Sequence, residues 1–464
     1  MPNTDTSRPN ILLLHTDQQR FDALGAAGND DIDTPALDRL ASEGTRFDHY
    51  YVQAPVCMPS RASYLTGLYP TQLDIYTNGI TLPASVRTLP EYLTQRSYHT
   101  ANLGKLHFLP HANRDHRQRH PNYGFDHLEI SDEPGCYEDA YRKWVSERAP
   151  DQLDDISVGL PPATETWHEL LYMDDGIQHP EERFPKRPVA FPADDELTHT
   201  AFVADRTIEY LERHHEERFC CVSGFYSPHS PWVAPERFID SYDPDALTLP
   251  DGGTGDIDEE ELRRARWGYY AMVSEVDYHV GRVLDRLDDL GIREDTLVLF
   301  TSDHGEWLGE RGRYGKGWPA TDQVSRVPLI ASWPGEIEAG RVVDGFAEGV
   351  DLVPTILDAT GIQCPPELLG TSLLPAARGD ALTHRDSALT EGRLGKTLRT
   401  EQYRYVSAAN GDEQLYHIES DPRQLENLPE NSDHKNALSD LRHRLLQRLL
   451  QIDLDSERSR EYAY

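Results

Sequence analysis

Leu297-Val298-Leu299-Phe300-Thr301-Ser302-Asp303-His304-Gly305 is an apolar run of strand length that breaks off into an acid, an imidazole and a glycine. A short run with no polar alternation predicts a strand buried on both faces, as in parallel sheets covered by helices. Working outward, the same design recurs. Ile11–Leu14 leads to Asp17-Gln18, Thr100–Leu103 to Gly104-Lys105-Leu106-His107, and Phe219–Ser223 to Pro228-His229. Leu329–Ala331 reads as one more buried parallel strand. Helical patterns lie between. Thr34-Pro35 caps and opens one that Gly44 ends, Glu196–His214 carries a second, and Glu259–Leu290, closed by Gly291, a third. This alternation predicts an α/β fold with a large, mostly parallel central sheet flanked by helices.

Two stretches depart from the alternation. Residues 111–193 are rich in Pro, His, Asp and Arg and lack periodicity, which predicts a long surface insertion. Its histidines His111, His116 and His120 follow no metal-ligand spacing and are expected in solvated loop. Beyond about residue 380 the texture changes again. Tyr403-Arg404-Tyr405-Val406 and Gln414-Leu415-Tyr416 predict antiparallel strands around the turn Asn410-Gly411, and Asn436–Leu450 predicts a last amphipathic helix. The expected organisation is a catalytic α/β domain over 1–380 and a small C-terminal α+β subdomain over 381–464.

Composition narrows the function. The 464 residues carry 80 Asp+Glu against 45 Lys+Arg, a formal net charge of −35. Such a chain repels phosphate backbones, which argues against nucleic acid as a partner. Only six lysines occur, Lys105, Lys143, Lys186, Lys316, Lys396 and Lys435. An acid-rich, lysine-poor chain resembles proteins of salt-in halophiles, where a Debye length of about 3 Å at 1 M salt screens the self-repulsion. Cys57, Cys136, Cys220, Cys221 and Cys364 form no paired framework, so neither disulfides nor a thiolate zinc site is expected. The polar start, Met1 to Asn10, does not read as a signal peptide, and no apolar stretch is long enough for a membrane span. The expectation is a cytoplasmic protein; oligomeric state is not readable.

In open α/β sheets, ligands bind beyond the carboxyl ends of the strands. The polar groups after the four strands can therefore converge. Asp17, Gln18, Asp303 and His304 offer oxygens and one imidazole, a hard set suited to Ca²⁺, Mg²⁺ or Mn²⁺. Lys105, His107, His229 and Lys316 add cations and proton donors. A divalent metal among cationic side chains suits a tetrahedral oxyanion. In Cys57-Met58-Pro59-Ser60-Arg61, Pro59 fits a first helical turn. Cys57 then sits at a helix N-terminus, where the dipole favours an anionic nucleophile, and Arg61 lies one turn along the same face. Trp232, Trp307 and Trp318 flank these motifs and suit either the pocket or the packing behind it.

Cys57-Met58-Pro59-Ser60-Arg61 followed by Tyr64-Leu65-Thr66-Gly67 resembles the signature of the type I sulfatases, within the alkaline phosphatase superfamily. The resemblance runs along the chain. It includes Pro9-Asn10-Ile11 with Asp17-Gln18, Gly104-Lys105-Leu106-His107, Pro228-His229-Ser230-Pro231, Ser302-Asp303-His304-Gly305-Glu306, Leu415-Tyr416 and Asp421-Pro422. It implies an alkaline-phosphatase-like sandwich with a small C-terminal antiparallel sheet, and hydrolysis of a sulfate monoester. It implies that Cys57 is oxidised to formylglycine by a formylglycine-generating enzyme, and that the hydrated aldehyde is the nucleophile. Asp17, Gln18, Asp303 and His304, with the modified Cys57, would bind a metal, usually Ca²⁺. Arg61 would hold the nucleophile, Lys105 and Lys316 would bind sulfate oxygens, His107 would assist sulfate release, and His229 would protonate the leaving alcohol.

Many sulfatases carry Asp where this chain has Gln18 and Asn where it has His304. Phosphonate monoester and phosphodiester hydrolases of the same superfamily also resemble the pattern and often use Mn²⁺. A third reading, from another class, is a catalytically silent metal-binding protein with Cys57 left unoxidised. The alcohol that carries the sulfate is not written in these motifs; aryl, choline and carbohydrate esters are all compatible.

Overall fold

The computed structural model describes residues 8–111, 114–159, 169, 172 and 176–455. Residues 1–7, and 112–113, 160–168, 170–171 and 173–175 of the expected insertion, lie outside the described residues.

The main sheet is built from β1 (Asn10–Thr16), β2 (Thr45–Tyr51), β3 (His99–Gly104), β4 (His127–Ile130), β6 (Phe219–Gly224), β8 (Thr296–Ser302), β9 (Leu329–Ser332) and β10 (Arg341–Glu348), with the short pair β5 (Val189–Ala190) and β7 (Val233–Ala234) apart from it. Its order is β10-β2-β9-β8-β1-β6-β3-β4. Successive side chains of the central strands point to opposite faces, and both faces are apolar. Ile11, Leu13, Val222, Leu297 and Leu299 face the helices Cys57–Thr66 and Leu352–Ala359. Leu12, Leu14, Cys221, Val298 and Phe300 face the helices Pro35–Ser42, His199–His214 and Glu259–Asp289. Cys220 and Cys221 are core residues, as expected of unpaired cysteines in a strand.

Strands β8, β1, β6 and β3 are neighbours and mutually parallel. At about 4.8 Å per strand, their four carboxyl ends span only about 14 Å along one edge. The chemistry after each strand is therefore delivered to one place.

Three features differ from the sequence-based reading. Leu329–Ala331 lies in β9, which is antiparallel to both neighbours rather than parallel. A parallel pair needs a crossover, and residues 303–328 hold only the short turns Glu310–Gly312 and Asp322–Ser325. That loop consequently stays at the carboxyl end of β8, where Lys316 is needed. Second, the insertion is not only surface loop: β4 joins the sheet beside β3, and Ala140–Arg148 is helical with Asp139 as its cap. Third, Thr34 does not cap the helix Pro35–Ser42 with its side chain. Asp277, from the long helix, accepts Ala36 N at 3.0 Å and Leu37 N at 2.7 Å instead.

The C-terminal part forms a four-stranded antiparallel sheet, β11 (Ser387–Gly392), β12 (Gly395–Thr400), β13 (Tyr403–Ala408) and β14 (Glu413–His417), backed by the helix Lys435–Asp455. Buried Arg404 of β13 pairs with Asp322 and donates to Ala320 O, so this sheet braces the far side of the loop after β8. No helix among the described residues is long and apolar enough to cross a membrane.

Candidate active site

Cys57 is the first residue of the helix Cys57–Thr66 and is 1 % exposed. The N-cap residue Val56 lends no side chain to this N-terminus; Asn78 Oδ1 accepts Met58 N at 3.0 Å, and the positive end of the helix dipole bears on the site. Cys57 Sγ lies 2.8 Å from Lys316 Nζ, 3.2 Å from His304 Nε2 and 3.8 Å from Asp17 Oδ1. Burial and Asp17 push the Cys57 thiol up, but Lys316 and His304 outweigh them and its pKa falls below the usual thiol value.

Arg61, one turn along, is fully buried. Its Nε donates to Asp303 Oδ2 at 2.6 Å, Nη2 to Asp17 Oδ2 at 3.3 Å, and Nη1 to Lys105 O at 3.0 Å. Lys105 Nζ is 2.7 Å from Asp17 Oδ2. Burial would raise the Asp17 pKa, yet Lys105, Lys316 and Arg61 hold it well below the carboxylate range. Asp17 therefore stays an anion.

Donor atoms of Asp17, Cys57, Asp303 and His304 all lie within 4.8 Å of one another. His304 Nδ1 bonds Gly305 O at 2.9 Å, which leaves Nε2 facing the cluster. Gln18 sits beside them with its N–H on Asp303 Oδ1 at 3.1 Å, its backbone at φ 74°, and its Oε1 buried without a partner. Close carboxylates, one imidazole and an orphaned amide oxygen fit a hard divalent cation.

The other half of the site is cationic. Lys316 Nζ is 2.7 Å from His229 Nε2, while His229 Nδ1 is 2.6 Å from Ser230 O. Burial and Lys316 hold the His229 pKa well below its ordinary value. His229 is thus neutral, donating from Nδ1 and accepting from the lysine. His107, in left-handed backbone at φ 54°, hangs on Asp132, whose Oδ1 accepts both Leu106 N at 2.9 Å and His107 N at 2.8 Å. Burial and the neighbouring His111 depress the His107 pKa.

All ten residues picked from the sequence lie at the sheet's carboxyl edge. Contrary to the solvated-loop expectation, His111 is 8 % exposed and stacks on His107 at 3.9 Å between ring centroids, and His116 stacks on Tyr137 at 3.6 Å. Trp232 and Trp307 are packing residues, 0 % and 1 % exposed. Sequence reasoning missed His15, which lies 3.3 Å from Arg61 Nη1, Tyr226, over whose ring Lys105 Nζ sits at 5.0 Å, and Asp132. Asp132 follows β4 as Asp17 follows β1, so the same strand-then-acid rule would have found it had β4 been read as a strand.

Comparison with known proteins points to one family. The family model described as Sulfatase matches residues 9–362, and that of the N-sulphoglucosamine sulphohydrolase C-terminal region matches 309–451. An arylsulfatase of Clostridium perfringens is 29 % identical, over 95 % of this chain and 94 % of its own. A choline-sulfatase of Rhizobium meliloti is 29 % identical, over 92 % of this chain and 83 % of its own. The solved phosphonate monoester hydrolase of Agrobacterium radiobacter superposes with TM-score 0.81 at 26 % identity, covering 96 % of both chains. The strand ends, the Cys57 helix and the matched length lead to one conclusion: the chain belongs to the sulfatase family, the sulfuric ester hydrolases of the alkaline phosphatase superfamily.

Proposed function

We propose that the protein hydrolyses a sulfate monoester to an alcohol and inorganic sulfate through a formylglycine made from Cys57, with a divalent metal held by Asp17, Gln18, Asp303, His304 and the modified Cys57. The observation that carries this is the placement of Cys57 Sγ at a helix N-terminus, 2.8 Å from Lys316 Nζ and inside the four-donor cluster. Formylglycine supplies geminal hydroxyls, one to attack sulfur and one whose proton loss later expels sulfate. A metal such as Ca²⁺, with Mn²⁺ or Mg²⁺ as alternatives, would neutralise sulfate charge and favour the ionised hydroxyl.

The chain's own groups do the rest. Arg61 bridges Asp17 and Asp303 and holds the two carboxylates in register. Lys105 and Lys316 offer ammonium groups to sulfate oxygens. The leaving oxygen needs a proton, and His229 Nε2 takes a hydrogen bond from Lys316. The Lys316–His229 pair shares one proton along this hydrogen bond and is therefore the acid that protonates the leaving oxygen at its Nε2 side. His107, neutral under burial, accepts the proton whose loss releases sulfate. We read residues 1–380 as the catalytic domain and 381–464 as a buttressing subdomain, on the strength of Arg404 bracing the loop that carries Lys316.

The substrate class is a small-molecule or carbohydrate sulfate ester, and maturation calls for a formylglycine-generating enzyme. Gln18, His304 and the structural match to a phosphonate monoester hydrolase favour a second reading, hydrolysis of phosphonate monoesters or phosphodiesters by the same groups. Steady-state rates on an aryl sulfate, an aryl phosphonate and an aryl phosphodiester, each with Ca²⁺, Mn²⁺ and Mg²⁺, separate the two. The first reading expects the highest kcat/KM on the sulfate; preference for the phosphonate by tenfold or more replaces it with the second.

A further inference from the structure

Glu306 is fully buried and has no part in the reaction above. Its two oxygens serve two different loops. Oε2 accepts from Gln18 Nε2, on the loop after β1. Oε1 accepts from Leu308 N at 3.0 Å and from Gly315 N, the residue before Lys316. One carboxylate thus ties the amide beside the donor cluster to the lysine that faces Cys57. Committing Nε2 to Glu306 also decides which way the amide lies. Oε1 is left as the free end, buried and unpartnered, on a residue whose own N–H is bonded to Asp303.

Charge explains the pairing. A carboxylate at position 18 would meet Glu306 head on, and two buried carboxylates in contact repel. An amide removes that conflict, donates to Glu306 and still turns an oxygen outward. We propose that Glu306 is a positioning residue for both halves of the site: it orients Gln18 Oε1 toward the metal and fixes the loop of Lys316. The inference rests on the metal-site reading above. Outer-layer partners of metal ligands are commonly worth 10–100-fold in affinity.

The test is a charge swap read by metal binding, which needs neither substrate nor formylglycine. Protein stripped with chelator is titrated calorimetrically with CaCl₂, MnCl₂ and MgCl₂, for wild type, Glu306→Gln, Gln18→Asp and the double variant. Glu306→Gln should weaken binding by about 10–100-fold, and Gln18→Asp should weaken it because its carboxylate faces Glu306. The double variant, which exchanges acid and amide, should return to within a few-fold of wild type. A group that merely fills space would give no such recovery. On converted enzyme Glu306→Gln should also raise KM, through the loosened Lys316 loop. If Glu306→Gln binds metal within twofold of wild type, or the double variant is no better than the singles, the inference is wrong while the metal site stands. If wild type binds none of the three metals, the metal-site reading fails and takes this inference with it.

Discussion

Two regions feed the same site and differ in how openly they do so. The loops after β1, β3, β6 and β8 present their chemistry as strand, then acid, lysine or histidine. The segment 111–193 supplies His111, Asp132 and the His116–Tyr137 stack, and of these only Asp132 stands behind a strand, a short and partly charged one. The strand-end groups meet because the sheet order brings their strands side by side. Theirs is a local rule applied four times. The insertion's groups meet only through tertiary packing, and their residue types alone do not say which of them turns inward.

The contrast predicts graded effects. Cys57→Ala should abolish turnover while leaving thermal unfolding within a few degrees, since a small buried side chain is lost and Arg61 keeps its carboxylate partners. Turnover within tenfold of wild type would remove Cys57 as nucleophile.

His229→Ala should lower kcat by about 10²–10⁴-fold on esters of poor leaving alcohols, and far less on nitrophenyl esters, which need no proton. Lys316→Ala should hurt both kinds and raise KM as well. Equal loss on good and poor leaving groups would take His229 out of the acid role.

Asp132→Ala tests the insertion. It strips the shared acceptor from Leu106 N and His107 N and frees His107 from its left-handed backbone. An unsatisfied buried N–H costs about 1–3 kcal/mol of stability, a penalty the loop escapes by moving, and the misplaced His107 should lower kcat about 5- to 100-fold with KM little changed. Unchanged kcat would reduce the insertion to a cover.

Glu275→Gln should leave activity alone. Burial lifts the Glu275 pKa to about 7, against 4.5 for the exposed group. A raised folded-state pKa means stability that is full below about pH 4.5 and lost as pH rises through about 7. The glutamine variant has no such loss. It should unfold later than wild type at pH 8, by up to roughly 3 kcal/mol, and match it near pH 4.5. Parallel unfolding profiles across that range would contradict the assignment.

What was legible follows physical lines. Cys57 and Arg61 could be placed from their i, i+4 spacing after a proline-compatible turn, and the structure keeps that arrangement. The direction of β9 could not, because Leu329–Ser332 is apolar in either direction and only the missing crossover helix decides it. β4, His127-Leu128-Glu129-Ile130, is a half-buried edge strand and mixes charge with apolar residues, so no run announced it. β11 and β12 went unread for a similar reason, being short and rich in Thr, Gly and charge. Gln18 read as an isolated departure until Glu306 stood behind it.

The central claim turns on the chemical state of one residue. Tandem mass spectrometry of the peptide spanning Tyr51 to Arg61, taken from protein whose turnover has just been measured, tests it most directly. The account predicts that the fraction of Cys57 converted to the aldehyde, read as exchange of sulfur for oxygen with loss of hydrogen and as reaction with a hydrazide, rises in proportion to specific activity. Fully active protein carrying only unmodified cysteine at position 57 would contradict it.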